Sequence, residues 1–384
     1  MTRVAVRPEM LRWAVERAGL VPDDLQARFT KFPEWLEGEV HPTLKQLENF
    51  AKVVHVPIGY LFLPEPPEEA LPIPDFRTLE GRQLAQPSPN LLEMIYACQE
   101  RQSWYADFAR LYQDPELDFV GSSTLQTSPE AVARKIRTTL GFSVEERRDC
   151  GTWTDALRMF NRQADQAGIL VMTSGVVFSN NKRPLDVDEF RGFALVDRSA
   201  PLVFINGSDS KSAQMFTLAH ELAHIWLGAS ALSNASAAPL AGFRREEVWC
   251  NKVAAELLAP LAAVRAELLE DEALEHTLSR LARHFKVSTL VILRRLLDAG
   301  ALDRARFNTA WRSEIQRLRE IKQKSGGGGD FYRTTLSRVS HRFTRALVVS
   351  TLEGQTLYRD AFRMLGVKKT ETFNNLGREV GVMM

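Results

Sequence analysis

The spacing of apolar residues predicts short helices in the N-terminal region. Between residues 8 and 63, apolar side chains recur every three or four positions, as at Leu44, Leu47 and Ala51. The dipeptide Pro42-Thr43 indicates a helix start, with the Thr43 hydroxyl as the expected N-cap. The pattern therefore predicts an all-α region at this end of the chain.

The central region mixes helical patterns with strand-like apolar runs. The runs typical of strands lie at residues 168–172, 192–196 and 202–205. Helices are expected at about residues 89–112, 212–227, 246–258, 277–285 and 290–298. This alternation favours an α+β fold that is mostly helical, with a small mixed sheet.

Proline and glycine mark the predicted domain boundaries. Five prolines between residues 64 and 74 disfavour regular structure, so residues 64–88 are predicted to be a stiff linker. Glycines at 326–329 indicate a break at residues 325–329, and the Ala/Ser-rich stretch 228–238 is predicted to be a mobile loop. We expect three parts joined by these segments: residues 1–63, residues 89–300 with a core at about 130–300, and a basic helical region at 301–384.

The amino-acid composition argues against several classes of protein. The 384 residues are 45% hydrophobic and 25% charged, which is typical of globular chains and excludes a wholly disordered one. The net charge of +1 argues against a protein that coats nucleic acid through uniform positive charge. Three scattered cysteines without CxxC spacing disfavour a disulfide scaffold. No apolar run is long enough to span a bilayer, so we expect a soluble, cytoplasmic protein without a membrane partner.

One motif points to metal chemistry. The sequence His220-Glu221-Leu222-Ala223-His224 has the HExxH pattern. On a helix, residues four apart lie on one face, so both imidazoles can bind one metal ion, for which Zn²⁺ is the expected choice. Glu221 would lie beside the open coordination position, where it can take a proton from a metal-bound water.

A third ligand is expected downstream, on the helix predicted at about residues 246–258. Glu247 and Asn251 share a face there, so one could bind the metal while the other hydrogen-bonds a ligand histidine. Glu247 is the preferred ligand, and Glu246 and Glu256 are the alternatives. We also expect the strand at 202–205 to be a sheet edge that could order an extended peptide substrate.

The two motifs together resemble the ImmA/IrrE family of zinc metallopeptidases. The resemblance rests on HELAH followed by ExxCNxxAAELLxP, within residues 216–260. It implies a gluzincin-like zinc core in an intracellular peptidase, in which His220, His224 and Glu247 bind zinc, Glu221 is the general base and Asn251 supports a ligand.

This sequence departs from the family pattern at two places. Val253 stands where the family usually has Phe, and the loop between the two motifs is long and rich in Ala and Ser. Neither departure touches the implied ligands, but the loop could gate substrate access.

The N-terminal region resembles an XRE-type helix-turn-helix domain, through residues 35–39, 42–47 and 56–62. Its expected recognition segment, residues 32–37, offers only Lys31 as a nearby cation, and acidic residues outnumber basic ones over residues 1–69. DNA binding and protein docking are therefore both retained as hypotheses for this region.

Two further basic regions are candidates for DNA or partner contacts. Residues 277–298 have a second helix-turn-helix-like pattern, whose candidate contact residues are Arg280, Arg283 and Lys286; the alternative is that this segment packs on the core. From residue 331 onward basic residues outnumber acidic ones, which is typical of a solvated face or of a surface for an acidic partner.

Two functional hypotheses follow. The first is a zinc-dependent intracellular metallopeptidase that cleaves a specific partner protein, such as a helix-turn-helix repressor or a neighbouring regulator, in stress response or mobile-element regulation. The second is a DNA-binding transcriptional regulator or antitoxin-like protein whose zinc site is structural or sensory. Glu221 favours the first, because folding around a metal does not require that residue. The oligomeric state stays open.

Overall fold

The computed structural model describes residues 2–75, 87–233, 235, 244–322 and 331–383. Backbone contacts divide the chain into two units. The first unit consists of residues 1–72 and 85–96, and the second of residues 73–84 and 97–384.

In the first unit, short helices surround a small apolar core. Its helices within residues 2–75 are α1 (Pro8–Arg17), α2 (Pro22–Gln26), α3 (Phe32–Glu37), α4 (Leu44–Val53) and a 3-10 helix (Ile58–Phe62). The rings of Phe32, Trp35 and Phe50 pack together in the core. The predicted N-cap of α4 is confirmed: Thr43 accepts from the Gln46 amide, and the Gln46 side chain accepts from the Thr43 amide.

The second unit contains the sheet and most of the helices. Helix α5 (Pro89–Leu111) begins in the first unit and ends in the second. The described elements that follow it are α6 (Pro129–Leu140), α7 (Val144–Asp149), α8 (Trp153–Gln166), β1 (Leu170–Ser174), β2 (Gly192–Leu195), β3 (Leu202–Asn206), α9 (Lys211–Leu227), β4 (Ala231–Ser233), α10 (Arg245–Leu258), α11 (Leu261–Ala266), α12 (Leu274–Phe285), α13 (Thr289–Asp298), α14 (Arg304–Lys322), α15 (Phe331–Val339), α16 (His341–Leu352), α17 (Tyr358–Leu365) and α18 (Thr370–Glu379).

The sheet is mixed, and its described strands have the order β1-β3-β2-β4. Strand β3 pairs in parallel with β1 and antiparallel with β2, and β2 pairs antiparallel with β4. Both faces are buried: Ala194 and Val203 belong to the core that includes α9, while Phe193 and Phe204 alternate with them and stack as a cross-strand pair. The predicted mostly helical α+β fold with a small mixed sheet is confirmed.

Two expectations about the sheet are wrong. Residues 202–205 are not an edge, because β3 lies between β1 and β2; its apolar run reflects this position, buried on both faces. The stretch 228–238 is not wholly a loop, since β4 forms within it and pairs with β2. Of the rest of that stretch, residues 234 and 236–238 lie outside the described residues, as does the predicted Gly-rich break at 325–329.

Helix α9 is the central helix of the second unit. It packs against β2, β3, α8 and α10, and it is buried on nearly all faces. Ser210 caps its start, and Gly228 ends it in the left-handed conformation at φ +76°. A Cβ at Gly228 would lie 2.9 Å from the Cα of Gly121, so the helix end meets a neighbouring loop backbone to backbone. Within the described residues no helix is long and apolar enough to cross a membrane.

Candidate metal centre

Helix α9 carries both histidines of the HExxH motif into the interior. His220, Glu221 and His224 are each 0% exposed. Because the histidines are one turn apart, their Nε2 atoms lie 3.1 Å from each other. The two imidazoles therefore point at one small region.

Helix α10 brings a carboxylate and an amide to the same region. Glu247 Oε1 lies 3.0 Å from His224 Nε2, and its Oε2 lies 3.3 Å from His220 Nε2. One turn later, Asn251 Oδ1 lies 3.0 Å from His220 Nδ1. If Nδ1 donates to the amide oxygen, the Nε2 lone pair of His220 is left for a metal ion.

The two alternative ligands are placed elsewhere. Glu256 lies at the other end of α10, where it pairs with Arg295 and accepts from the Leu261 amide at 3.2 Å. Glu246 is half-buried in the first turn of α10 and is not part of the His220, His224 and Glu247 group. The geometry therefore favours Glu247, which the sequence analysis preferred.

Burial and neighbouring charges shift the pKa values of the ionisable side chains in this site in different directions. Burial alone would raise the pKa of Glu247, but the adjacent His220 and His224 lower it to about 2. Burial lowers the pKa of His224. At His220 burial acts in the same direction, but the charge and hydrogen bond of Glu247, the charge of Glu221 and the hydrogen bond with Asn251 together exceed it and raise the pKa. Glu247 is thus a carboxylate, which is the form that binds a metal ion.

Glu221 has a different environment from Glu247. Burial raises the pKa of its carboxyl to about 8. The Ser233 hydroxyl, on β4, donates to Oε1, whereas Oε2 is buried and has no hydrogen-bond partner among the described residues. This oxygen can take up or release a proton without first breaking a protein hydrogen bond.

Sequence reasoning missed two residues that shape this part of the site. Ser233 lies in the Ala/Ser-rich stretch, where no pattern distinguished it from its neighbours. At Gly192, a Cβ would lie 2.6 Å from Thr217 Cγ2 and 3.1 Å from Glu221 Oε1, so only glycine lets β2 pass this close to α9. Its position at the start of a predicted strand was the available signal.

The donor set fits a zinc ion. His220, His224 and Glu247 each offer a ligand atom, and these atoms lie within 4.8 Å of one another. Since zinc holds nitrogen and oxygen ligands at about 2.0–2.2 Å, the ligands of one tetrahedral ion lie roughly 3.3 Å apart. The observed donor distances of 3.0 to 3.3 Å are close to this value. Two imidazoles and one carboxylate would leave a fourth position for a water or substrate.

The four residues predicted to contact DNA or a partner lie outside helices α9 and α10, which carry the candidate metal ligands. Lys31 is exposed and immediately precedes α3. Arg280 is held by Glu272 and by the Glu267 carbonyl, and the Lys286 ammonium lies 5.7 Å from the Trp153 ring centroid. Arg283 is exposed. A role for these four residues in binding DNA or a partner stays a prediction.

Comparison with protein families matches two regions of the chain. Residues 164–297 match the IrrE N-terminal-like domain of peptidase family M78, and residues 339–379 match a domain of unknown function, DUF8813. A search of curated proteins found no match.

The match over residues 164–297 contains α9 and α10 and supports the ImmA/IrrE resemblance for this region. Peptidase family M78 is a zinc-type metallopeptidase family, so the match indicates a peptidase-type domain. The XRE-type resemblance stays a prediction.

Proposed function

We propose that this protein is a zinc-dependent peptidase, in which His220, His224 and Glu247 hold the metal and Glu221 is the general base. The observation that carries the proposal is the buried Oε2 of Glu221, which has no hydrogen-bond partner among the described residues and follows a metal-ligand candidate in sequence. A structural metal site would not need such a group, because an unpartnered buried oxygen costs stability. A hydrolytic site needs a proton acceptor at this place.

In this proposal, Glu221 transfers the proton and Ser233 orients the Glu221 carboxylate. When bound, zinc would polarise the scissile carbonyl and lower the pKa of a water molecule. Glu221 Oε2 accepts a proton from the attacking water and returns it to the leaving amide nitrogen. The Ser233 hydroxyl holds Oε1, so the carboxylate keeps one orientation during both transfers. Burial, which raises the pKa of Glu221 to about 8, makes it a stronger base than an exposed glutamate.

We further propose that the substrate is a specific partner protein, such as a helix-turn-helix repressor or a neighbouring regulator, cleaved in stress response or in the control of a mobile element. The support is the ImmA/IrrE resemblance together with the match over residues 164–297. The full burial of the candidate catalytic group also fits a peptidase that acts on few substrates.

One observation favours the second candidate, a transcriptional regulator or antitoxin-like protein with a structural or sensory zinc site. His220, Glu221 and His224 are all inaccessible to solvent, as the residues of a structural metal site usually are. The two candidates differ in what they require of Glu221, since a structural site tolerates its replacement.

The test is to incubate the zinc-loaded protein with the proteins encoded beside its gene, using Glu221→Gln as the control. This substitution keeps the size of the side chain but removes its basicity. We expect the wild-type protein to cleave one neighbour, and Glu221→Gln to bind zinc equally well without cleaving. If no neighbour is cleaved and the protein binds its own operator tightly, the regulator is correct.

A further inference from the structure

Strand β4 has a second backbone partner besides β2. The Leu232 amide donates to the Pro74 carbonyl at 2.9 Å, and Asp75 forms a parallel bridge with Leu232. We call residues 73–75 the strap. They lie within the predicted linker and, like β4, belong to the second unit. The edge of the sheet at β4 is thus paired with a segment from far away in the sequence.

The strap occupies the part of β4 that another chain would need. In β4, Ala231 and Ser233 flank Leu232, and backbone polar groups of successive residues in a strand point to opposite sides. Because Leu232 donates to the strap, its amide faces away from β2 and towards the sheet edge. An extended peptide could add to this edge only by taking over that amide.

This edge lies next to the candidate general base. Ser233, the residue after Leu232, donates its hydroxyl to Glu221. A peptide backbone paired with Leu232 would therefore run alongside the residue that contacts the carboxylate. The same edge that the strap covers is the edge that could guide a peptide to Glu221.

The pairing of the strap with β4 is short enough to be reversible. Ile73 is only 6% exposed and serves as its apolar anchor. Pro74 has no amide hydrogen and biases Ile73 towards an extended backbone, so the strap is preset for pairing but cannot donate at Pro74. A strap of three residues can be displaced by a longer strand that makes more backbone hydrogen bonds to β4.

We propose that the strap is an intrachain competitor for substrate, which covers the β4 edge and keeps the peptidase inactive until it is displaced. This inference rests on the proposed peptidase function, since it assigns the regulation of the same site. Under this proposal, the structure with His220, Glu221 and His224 buried corresponds to the closed state of the enzyme. The strap directly follows Pro72, which belongs to the first unit, so a partner that binds that unit can act on the strap through the chain itself.

The experiment uses the full-length, zinc-loaded protein and the variant Ile73→Asp, which removes the apolar anchor. The matched control is Leu71→Asp, which places the same charge on a half-buried residue that precedes the strap. Hydrogen exchange at the Leu232 amide, resolved by mass spectrometry with fragmentation, reports strap release without requiring catalysis. We expect exchange about tenfold faster in Ile73→Asp than in the wild type, the effect of losing roughly one hydrogen bond, and no change in Leu71→Asp.

Two further measurements separate strap release from unfolding and from catalysis. A synthetic peptide with the sequence of residues 70–75 should slow exchange at Leu232 in Ile73→Asp, which an unfolded sheet could not show. The rate at which a chelator removes zinc, and the rate of cleavage of a partner protein, should both rise in Ile73→Asp and stay unchanged in Leu71→Asp.

The outcomes distinguish the two levels of the proposal. Equal exchange at Leu232 in the wild type and Ile73→Asp, or no protection by the added peptide, overturns the strap. Faster exchange with unchanged cleavage and unchanged zinc removal overturns its inhibitory role. If no variant cleaves anything, but exchange and zinc removal both accelerate, the strap controls access to the site and the peptidase function itself is wrong.

Discussion

The two ends of helix α10 both bury charged groups, but they do so for different purposes. Near its start, Glu247 and Asn251 face the histidines of α9. At its end, Glu256 pairs with Arg295, and arginine side chains bind the carbonyls of the last turn. These bonds run from Arg137 to the Glu256 carbonyl at 2.8 Å, from Arg295 to the Ala259 carbonyl at 2.8 Å, and from Arg147 to the Leu258 carbonyl.

The two clusters differ in whether their polar atoms still have lone pairs or N–H groups without a partner inside the protein. At the helix end, cations meet the negative end of the helix dipole and the terminal carbonyls, so the donors and acceptors largely satisfy each other. Even there Arg147 is costly: burial and the nearby Arg137 lower its pKa to about 9, and two of its nitrogens have no hydrogen-bond partner among the described residues. At the start of the helix, the converging groups are lone-pair donors, which a cation can join. Burial of charge alone therefore does not identify a functional site.

Truncating the two glutamates of α10 separately distinguishes the candidate metal-binding end of the helix from its structural end. Glu247→Ala removes the carboxylate that faces both imidazoles, so we expect loss of stoichiometric zinc binding and of all peptidase activity. Metal content after dialysis against buffer containing trace zinc measures this. Zinc retained at full occupancy would show that Glu247 is not a ligand.

Glu256→Ala tests the structural end of the same helix. It removes the more buried of the two carboxylates that pair with Arg295, whose side chain is 6% exposed, and leaves Asp298 as the other at 3.2 Å. Breaking this buried pair should lower the free energy of unfolding by about 3 kcal/mol, the low end for such a pair because Asp298 still compensates part of the charge, while zinc stoichiometry stays unchanged. Urea unfolding followed by circular dichroism gives the first quantity and metal analysis the second. Reduced zinc content in the folded variant would show that this end of α10 also contributes to metal binding.

Asn251→Ala probes the group that orients a ligand without binding the metal. Loss of the hydrogen bond to His220 Nδ1 should weaken zinc affinity by about 10–100-fold, because the ring is no longer fixed for its Nε2 to bind. Competition with a fluorescent zinc chelator measures the affinity. Asn251→Asp serves as the control, since it keeps an acceptor at the same place and should restore most of the affinity.

Ser233→Ala should give the smallest effect. It removes the hydroxyl that holds Glu221 Oε1, so kcat should fall roughly fivefold, equivalent to about 1 kcal/mol. KM and zinc affinity should stay the same, because Ser233 is not among the candidate metal ligands. Steady-state kinetics on the cleaved partner protein separates kcat from KM. An unchanged kcat would mean that Glu221 needs no support from β4.

The helices of the site were predictable from the sequence, whereas the sheet edge was not. His220 and His224 are four residues apart, as are Glu247 and Asn251. Because residues four apart on a helix lie on the same face, these spacings predict which side chains point in the same direction. In contrast, the three residues of β4 carry no periodic signal in a run of Ala and Ser, and they become a strand only because β2 lies beside them. Likewise, the apolar run at 202–205 predicts a buried strand but not its place in the sheet, because a central strand and an edge strand covered by other elements have the same pattern.

The contact between Gly228 and Gly121 has a practical consequence for protein engineering. Replacing a glycine by alanine often raises thermal stability, because the unfolded chain loses freedom. Here the gain would be outweighed, since both glycines have positive φ and the added methyl group at Gly228 would press on the opposing backbone. The amides of Gly121 and Ser123 also bind the last carbonyls of α9, so the loop fixes how far the helix extends along its axis. A thermostabilised version of this protein should leave both glycines unchanged, because His224 lies one turn before this end of α9.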